Sequence, residues 1–131
     1  MLLGISRVSK SPTSSFLGSL GYKAANVSIA PSLGLPKELA RCKGRVVALT
    51  MQPSKLFEIR QRRFRLNGFA TALAERDESL DYLQLRDVSQ EVMAAEQLYR
   101  KAKIPIVDVT GMTIEEAATH VLEELKLLDR R

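Results

Sequence analysis

The chain has 131 residues, 45% of them hydrophobic and 27% charged, which suits one domain with a buried core and excludes a disordered chain. No apolar run approaches the ~18 residues of a membrane span, and the N-terminus lacks the regions of a signal peptide, so a cytoplasmic location and no membrane partner are expected. The formal charge is +5, from 20 Lys+Arg against 15 Asp+Glu, but three Tyr and four Phe do not alternate with the basic residues as a base-stacking surface requires, so nucleic acid is not an expected partner.

The chain opens with Met1-Leu2-Leu3, a strand, running into Gly4-Ile5-Ser6-Arg7-Val8-Ser9-Lys10-Ser11-Pro12. The spacing of Gly4 to Lys10-Ser11 follows the phosphate-loop pattern G-x-x-x-x-G-K-[ST], with Ser9 at the second glycine. In such a loop the backbone N–H groups ring phosphate oxygens, Lys10 adds a point charge and the Ser11 hydroxyl can ligate Mg²⁺. A helix predicted to begin near Pro12 would aim its unpaired N–H groups at the same anion. A short loop with Ser and Lys between a strand and a helix also arises without any ligand, and both readings stand on these residues alone.

Thr13 to about Leu20 is a short helix with Gly21 as its left-handed stop. Ala24 to Ala30 alternates apolar and polar residues as a strand, and Pro31 ends it. Residues 31 to 36 form a Gly/Pro loop leading to a helical turn at Lys37 to Ala40. Cys42 stands alone, leaving no disulfide framework and no thiolate cage for zinc. Arg45 to Met51 is a near-continuous apolar run of the kind found in a strand covered on both faces.

Pro53 opens the next helix, with Leu56, Ile59 and Phe64 inward, the arginines on other faces and Asn67-Gly68 as its close. Residues 69 to 80 read as a mobile loop or short helix. From Asp81 to near Lys103, the spacing of Tyr82, Leu85, Val88, Val92, Ala95 and Tyr99 predicts an amphipathic helix. Ile104 to Thr110 is the last strand. Thr113 and Glu116 form a capping box, and Ile114, Ala117, Ala118, Val121, Leu125 and Leu128 give the final helix its inward stripe, with Arg130 and Arg131 at its negative end. His120, the single histidine, lies within that helix without partners for a triad.

Four strands alternating with helices predict an α/β fold in three layers, a mostly parallel four-stranded sheet flanked by helices, P-loop-like, as a single nucleotide-binding domain over residues 1–131. Ligands bind such sheets at the carboxyl ends of the strands. That edge collects the loop, Thr50 to Pro53, and Asp108 to Thr110. Asp108 can hold Mg²⁺ through water, as the second acidic element of phosphate-loop enzymes does, or can simply cap the turn after its strand.

Taken together, the segments Gly4 to Ser14, Gly21-Tyr22-Lys23-Ala24-Ala25-Asn26, Leu35-Pro36, Leu49-Thr50-Met51-Gln52-Pro53 with Leu56 and Ile59-Arg60, and Pro105 to Thr110 with Ile114-Glu115-Glu116 resemble one family. It is the regulatory proteins of pyruvate, phosphate dikinase and of phosphoenolpyruvate synthase, bifunctional kinases and pyrophosphorylases. The resemblance implies ADP as donor, a threonine or serine beside the catalytic histidine of the dikinase or synthase as acceptor, and reversal by inorganic phosphate with release of pyrophosphate. It makes Gly4, Ile5, Ser6, Arg7, Val8, Ser9, Lys10 and Ser11 the nucleotide-binding loop, and the family carries Ser or Gly where Ser9 stands.

Within that reading Lys10 and Asp108 are the candidate catalytic residues, Ser11 the candidate Mg²⁺ ligand and Arg7 a planar phosphate contact. Arg60 and Arg63, one helical turn apart, would meet inorganic phosphate or the target's phosphothreonine, or lie on a solvated face. Family proteins are longer, and the matching segments lie in their C-terminal half, so the chain is expected to correspond to that half alone. A homo-oligomer is left open. Two other readings share the loop: a small-molecule kinase using ATP, and a nucleotide-binding interaction module without turnover.

Overall fold

The computed structural model describes residues 1–42, 44–64 and 78–126, with side chains for all of these except 63, 64 and 78–83. The elements are β1 (Leu2–Gly4), α1 (Lys10–Ser19), β2 (Asn26–Ser28), 3-10 turns at Pro31–Leu33 and Lys37–Cys42, β3 (Val47–Thr50), α2 (Pro53–Phe64), α3 (Glu78–Lys101), β4 (Ile106–Asp108) and α4 (Ile114–Glu124). They build the expected α/β fold. The sheet runs β2-β1-β3-β4, and every pair is parallel, with Gly4 opposite Ser28, Leu3 opposite Ala48 and Thr50 opposite Asp108.

Parallel strands need both faces covered, and Leu2, Leu3, Val47, Ala48 and Leu49 are accordingly buried throughout. The connections β1 to β2 and β3 to β4 run in opposite directions across the sheet, so right-handed crossovers place α1 on one face and α2 with α3 on the other. The packing agrees: α1 lies against α4, and α2 against α3. Leu17 of α1, Leu56 of α2, Val88, Val92, Ala95 and Tyr99 of α3, and Ala117, Ala118, Val121 and Leu122 of α4 fill the space between.

The paired strands are shorter than the apolar runs that announced them. The expected strands 24–30, 45–51 and 104–110 shrink to Asn26–Ser28, Val47–Thr50 and Ile106–Asp108. Burial outlasts regular pairing: Ile29, Val46, Met51 and Val109 are buried yet lie beyond the strands, although the Ile29 and Val109 N–H groups still donate to the Gly4 and Thr50 carbonyls at 3.0 and 2.9 Å. Pro105 stays at the margin of β4, where its carbonyl accepts from the Ala48 N–H at 2.9 Å.

Helix boundaries differ too. α1 starts at Lys10 instead of near Pro12, because Ser9 sits at φ 70° as its cap and its carbonyl already accepts from the Thr13 N–H at 3.1 Å. Pro12 falls in the first turn, where its missing N–H goes unneeded. Gly21, at φ 97°, stops that helix as its position predicts. In α4 the capping box is complete: the Thr113 hydroxyl accepts from Glu116 N at 3.1 Å and the Glu116 carboxylate from Thr113 N at 3.5 Å. Ile114 does not join the stripe. As the first residue of α4 it is exposed, and Leu122 takes an inward place instead.

α3 begins at Glu78, ahead of the expected Asp81. The stop at Asn67-Gly68, most of the stretch 69–80, Leu128 and the terminal arginines lie outside the described residues, as do the side chains of Phe64 and Tyr82.

Candidate functional site

The order of strands reverses between β1 and β3, so the chain leaving β1 and the chain leaving β3 part to opposite faces and open a crevice at the carboxyl edge. The loop 5–9 stands over that crevice. Gly4 makes its tight return possible: a Cβ there would overlap Val8 Cγ2 and come within 3.2 Å of the Leu49 carbonyl and Lys10 Cδ. Ile5 and Val8 point into the core while Ser6 and Arg7 are exposed. The polarity of the loop is therefore sorted by depth, with its apolar side chains as anchors.

Arg7 and Ser9 both adopt left-handed backbone, at φ 73° and φ 70°. Such a conformation costs a residue bearing a Cβ about 1–2 kcal/mol, so the anchors and the helix behind must hold it. The Ser9 turn delivers Lys10 into the first turn of α1 and folds it beneath the loop. Lys10 is only 6% exposed, and its Nζ donates to the Ile5 carbonyl at 2.6 Å. Burial, then the charges of Arg60 and Arg7, push its pKa down from 10.5 to about 8.

Above the loop lies an open cavity of about 450 Å³ lined by residues 6, 7 and 9–12 with Ser28 and Ile59. Six of the loop and helix-start positions named from the sequence meet there, Ser11 among them with its side chain exposed. The N-terminus of a ten-residue helix opens onto it, so unpaired N–H groups and a buried ammonium share one side of an otherwise wet space. A larger cavity of about 710 Å³ lies at the opposite edge, near Val46 and Ile104 at the starts of β3 and β4. Its lining is largely apolar and it lies away from the carboxyl edge, so size alone does not select the site.

Arg60 is tied down. Its Nε and Nη2 donate to the Ser6 carbonyl at 3.3 and 3.0 Å, and Nη1 and Nη2 to the two Glu91 carboxylate oxygens at 2.7 and 3.2 Å. Four of a guanidinium's five N–H groups are thereby used within the chain. Neither a free phosphate fork nor a solvated face describes it. The backbone of Arg63 lies in α2, and its side chain lies outside the described residues.

Asp108 stands apart from the cavity lining. Strand spacing puts β4 about 10 Å from β1 across β3. Its Oδ1 accepts from the Thr110 N–H at 2.9 Å and from the Thr110 hydroxyl at 2.6 Å, and that hydroxyl accepts in turn from Gln52 N at 2.8 Å. Between them, at the end of β3, the Thr50 hydroxyl donates to Glu96 at 2.9 Å, and Glu96 also accepts from Arg100 at 3.3 Å.

Glu91 and Glu96 were not singled out from the sequence. Their signal was position, since each borders the buried stripe Val88, Val92, Ala95 and Tyr99 instead of lying opposite it. Among the described residues no group of three or more His, Cys, Asp or Glu is placed to hold a metal ion. Of the two side chains expected to serve Mg²⁺, Ser11 lines the cavity and Asp108 does not.

Comparison with known proteins gives the family. A family model described as kinase/pyrophosphorylase matches residues 1–122. Among curated relatives, a protein of Paramagnetospirillum magneticum named as a pyruvate, phosphate dikinase regulatory protein is 39% identical over 124 residues, 94% of this chain and 38% of its own length. Proteins of the same name from Desulfitobacterium hafniense and Cutibacterium acnes are 38% and 40% identical, covering 95% and 93% of this chain and 44% and 40% of theirs. The chain thus spans about two fifths of the length of these relatives. No solved structure matches. On the extent of the family match and the identity to these regulatory proteins, the chain belongs to the kinase/pyrophosphorylase family.

Proposed function

We propose that this chain supplies the nucleotide-binding part of an ADP-dependent serine/threonine kinase and phosphate-dependent pyrophosphorylase that regulates pyruvate, phosphate dikinase or phosphoenolpyruvate synthase in the cytoplasm. The observation that carries the reading is Lys10, buried beneath a left-handed turn at the start of α1 and beside the cavity over the crevice. In the kinase direction the target hydroxyl oxygen forms a bond to the β-phosphorus of ADP, the bridging bond to the α-phosphate breaks, AMP leaves, and the hydroxyl proton passes to a base or water. In the reverse direction inorganic phosphate takes the phosphoryl group from the target and leaves as pyrophosphate.

The protein's share of such chemistry is placement and charge neutralisation. Lys10 and the backbone N–H groups of the loop would hold the diphosphate, and exposed Arg7 would add a planar, two-pronged contact. Arg60 would reach a phosphate with one N–H at most. Bound Mg²⁺, held by Ser11, would neutralise charge on the phosphates. Asp108 would reach such an ion only through water from its place on β4.

Calorimetry with ADP and Mg²⁺ tests the assignment. ADP is expected to bind the chain and to lose that binding in Lys10→Ala, whereas equal affinity in the variant overturns it. Tighter binding of ATP than ADP would favour a small-molecule kinase instead.

A further inference from the structure

A carboxylate outside the loop completes the site. The Ser6–Arg7 peptide is gripped from outside the loop: the Ser6 carbonyl accepts both Nε and Nη2 of Arg60 from α2, and Glu91 from α3 fixes that guanidinium on its other edge, at 2.7 and 3.2 Å. In a planar trans peptide the C=O and the following N–H point in opposite directions. Holding the Ser6 carbonyl toward Arg60 therefore holds the Arg7 N–H facing away from it. Arg7 follows at φ 73°, an unfavourable setting for a side chain of its size. Rotation of this peptide would relieve that setting and swing the carbonyl, a partial negative charge, to the side the N–H had occupied.

Glu91, on α3, is paired with Arg60, while Glu96 on the same helix is engaged with Thr50 and Arg100. Glu91 is thus the anion that offsets Arg60.

We propose that Glu91 is a positioning residue of the nucleotide site: acting through Arg60, it fixes the Ser6–Arg7 peptide in its anion-receiving orientation. This rests on the reading of the loop as a diphosphate cradle, but one arm of its test does not. The Arg7 backbone amide resonance is followed by NMR in the free chain, and ADP affinity is measured by calorimetry, for wild type, Glu91→Gln, Glu91→Asp, Arg60→Gln and the Arg60→Gln/Glu91→Gln pair.

Glu91→Gln is expected to shift the Arg7 amide resonance, as Arg60→Gln does, and to weaken ADP roughly tenfold. Glu91→Asp, which keeps the carboxylate, should hold that resonance near wild type. The pair should bind ADP no more weakly than Arg60→Gln alone. An Arg7 amide resonance in Glu91→Gln that matches wild type overturns the proposal, as does a pair weaker than Arg60→Gln. Failure of the wild-type chain to bind ADP would instead overturn the cradle reading and leave the Arg7 amide to judge Glu91.

Discussion

Lys10 Nζ donates to the carbonyl of Ile5 at 2.6 Å, so the amine that would meet a phosphate is held by the loop's own backbone, with a neutral acceptor as its partner. Nothing in that contact repays the burial of a charge, and two arginines oppose it, which is why the pKa falls to about 8. An arriving diphosphate supplies the missing counter-charge and would raise it again.

That gives binding a defined pH dependence. Below about pH 8 the free amine is already charged and affinity is at its full value. Above it the free amine is neutral, so binding draws in a proton and affinity falls by up to about tenfold per pH unit until the bound-state pKa is reached. The last phosphate ionisation lies near pH 6, so the range from 7 to 9 isolates the lysine. Calorimetry in buffers of differing ionisation heat should show proton uptake on ADP binding at pH 8.5, and its absence would remove Lys10 from the contact. The same shift acts on stability. The folded pKa lies below the unfolded 10.5, so between about 8 and 10.5 the unfolded chain binds the extra proton, and stability rises with pH there relative to Lys10→Met.

Gly4→Ala should break both loop and fold. The added methyl meets Val8, itself fully buried, and the Leu49 carbonyl of the neighbouring strand, so neither neighbour can withdraw freely. Overpacking of this kind costs about 1–3 kcal/mol, read as a lower urea midpoint. Because Lys10 Cδ is the third neighbour, ADP binding should be lost even in the fraction that folds.

Ser9→Gly should do the opposite. It removes the left-handed cost of about 1–2 kcal/mol at φ 70° and returns part of it as unfolded-state entropy, for a net gain of roughly 0.5–1 kcal/mol. Thermal unfolding should show the gain with ADP affinity retained, while Ser9→Val should lose stability. A fall in stability for the glycine variant would mean that the Ser9 side chain contributes more than its backbone conformation suggests.

These residues also show what a sequence exposes and what it conceals. Gly4, Lys10 and Ser11 are legible because the eight consecutive positions from Gly4 to Ser11 carry the whole pattern, and Thr113 with Glu116 because a capping box is local. The parallel sheet follows from alternation of apolar runs with helices. Arg60 and Glu91 stand 31 positions apart, and only the packing of α2 on α3 brings them together. Arg60 therefore read as one of a cluster of basic residues, with no sign that its donors are already committed. Asp108 was visible as a strand-end carboxylate, but the Thr110 hydroxyl that claims it depends on Gln52 from another strand's loop.

Asp108→Asn separates the two roles left open for that residue. An asparagine Oδ1 can accept from both the Thr110 N–H and its hydroxyl, so the turn survives and stability should stay within about 0.5 kcal/mol of wild type. Asp108→Ala cannot do this. It frees the Thr110 hydroxyl to rotate, loosens its grip on Gln52 N and the link between the loops after β3 and β4, and should cost about 1–2 kcal/mol. With β4 two strands from the loop, ADP affinity should be unchanged in the asparagine variant. Loss of phosphoryl transfer in Asp108→Asn, with ADP binding and stability intact, would restore the carboxylate as a group of the chemistry and overturn its assignment to the turn.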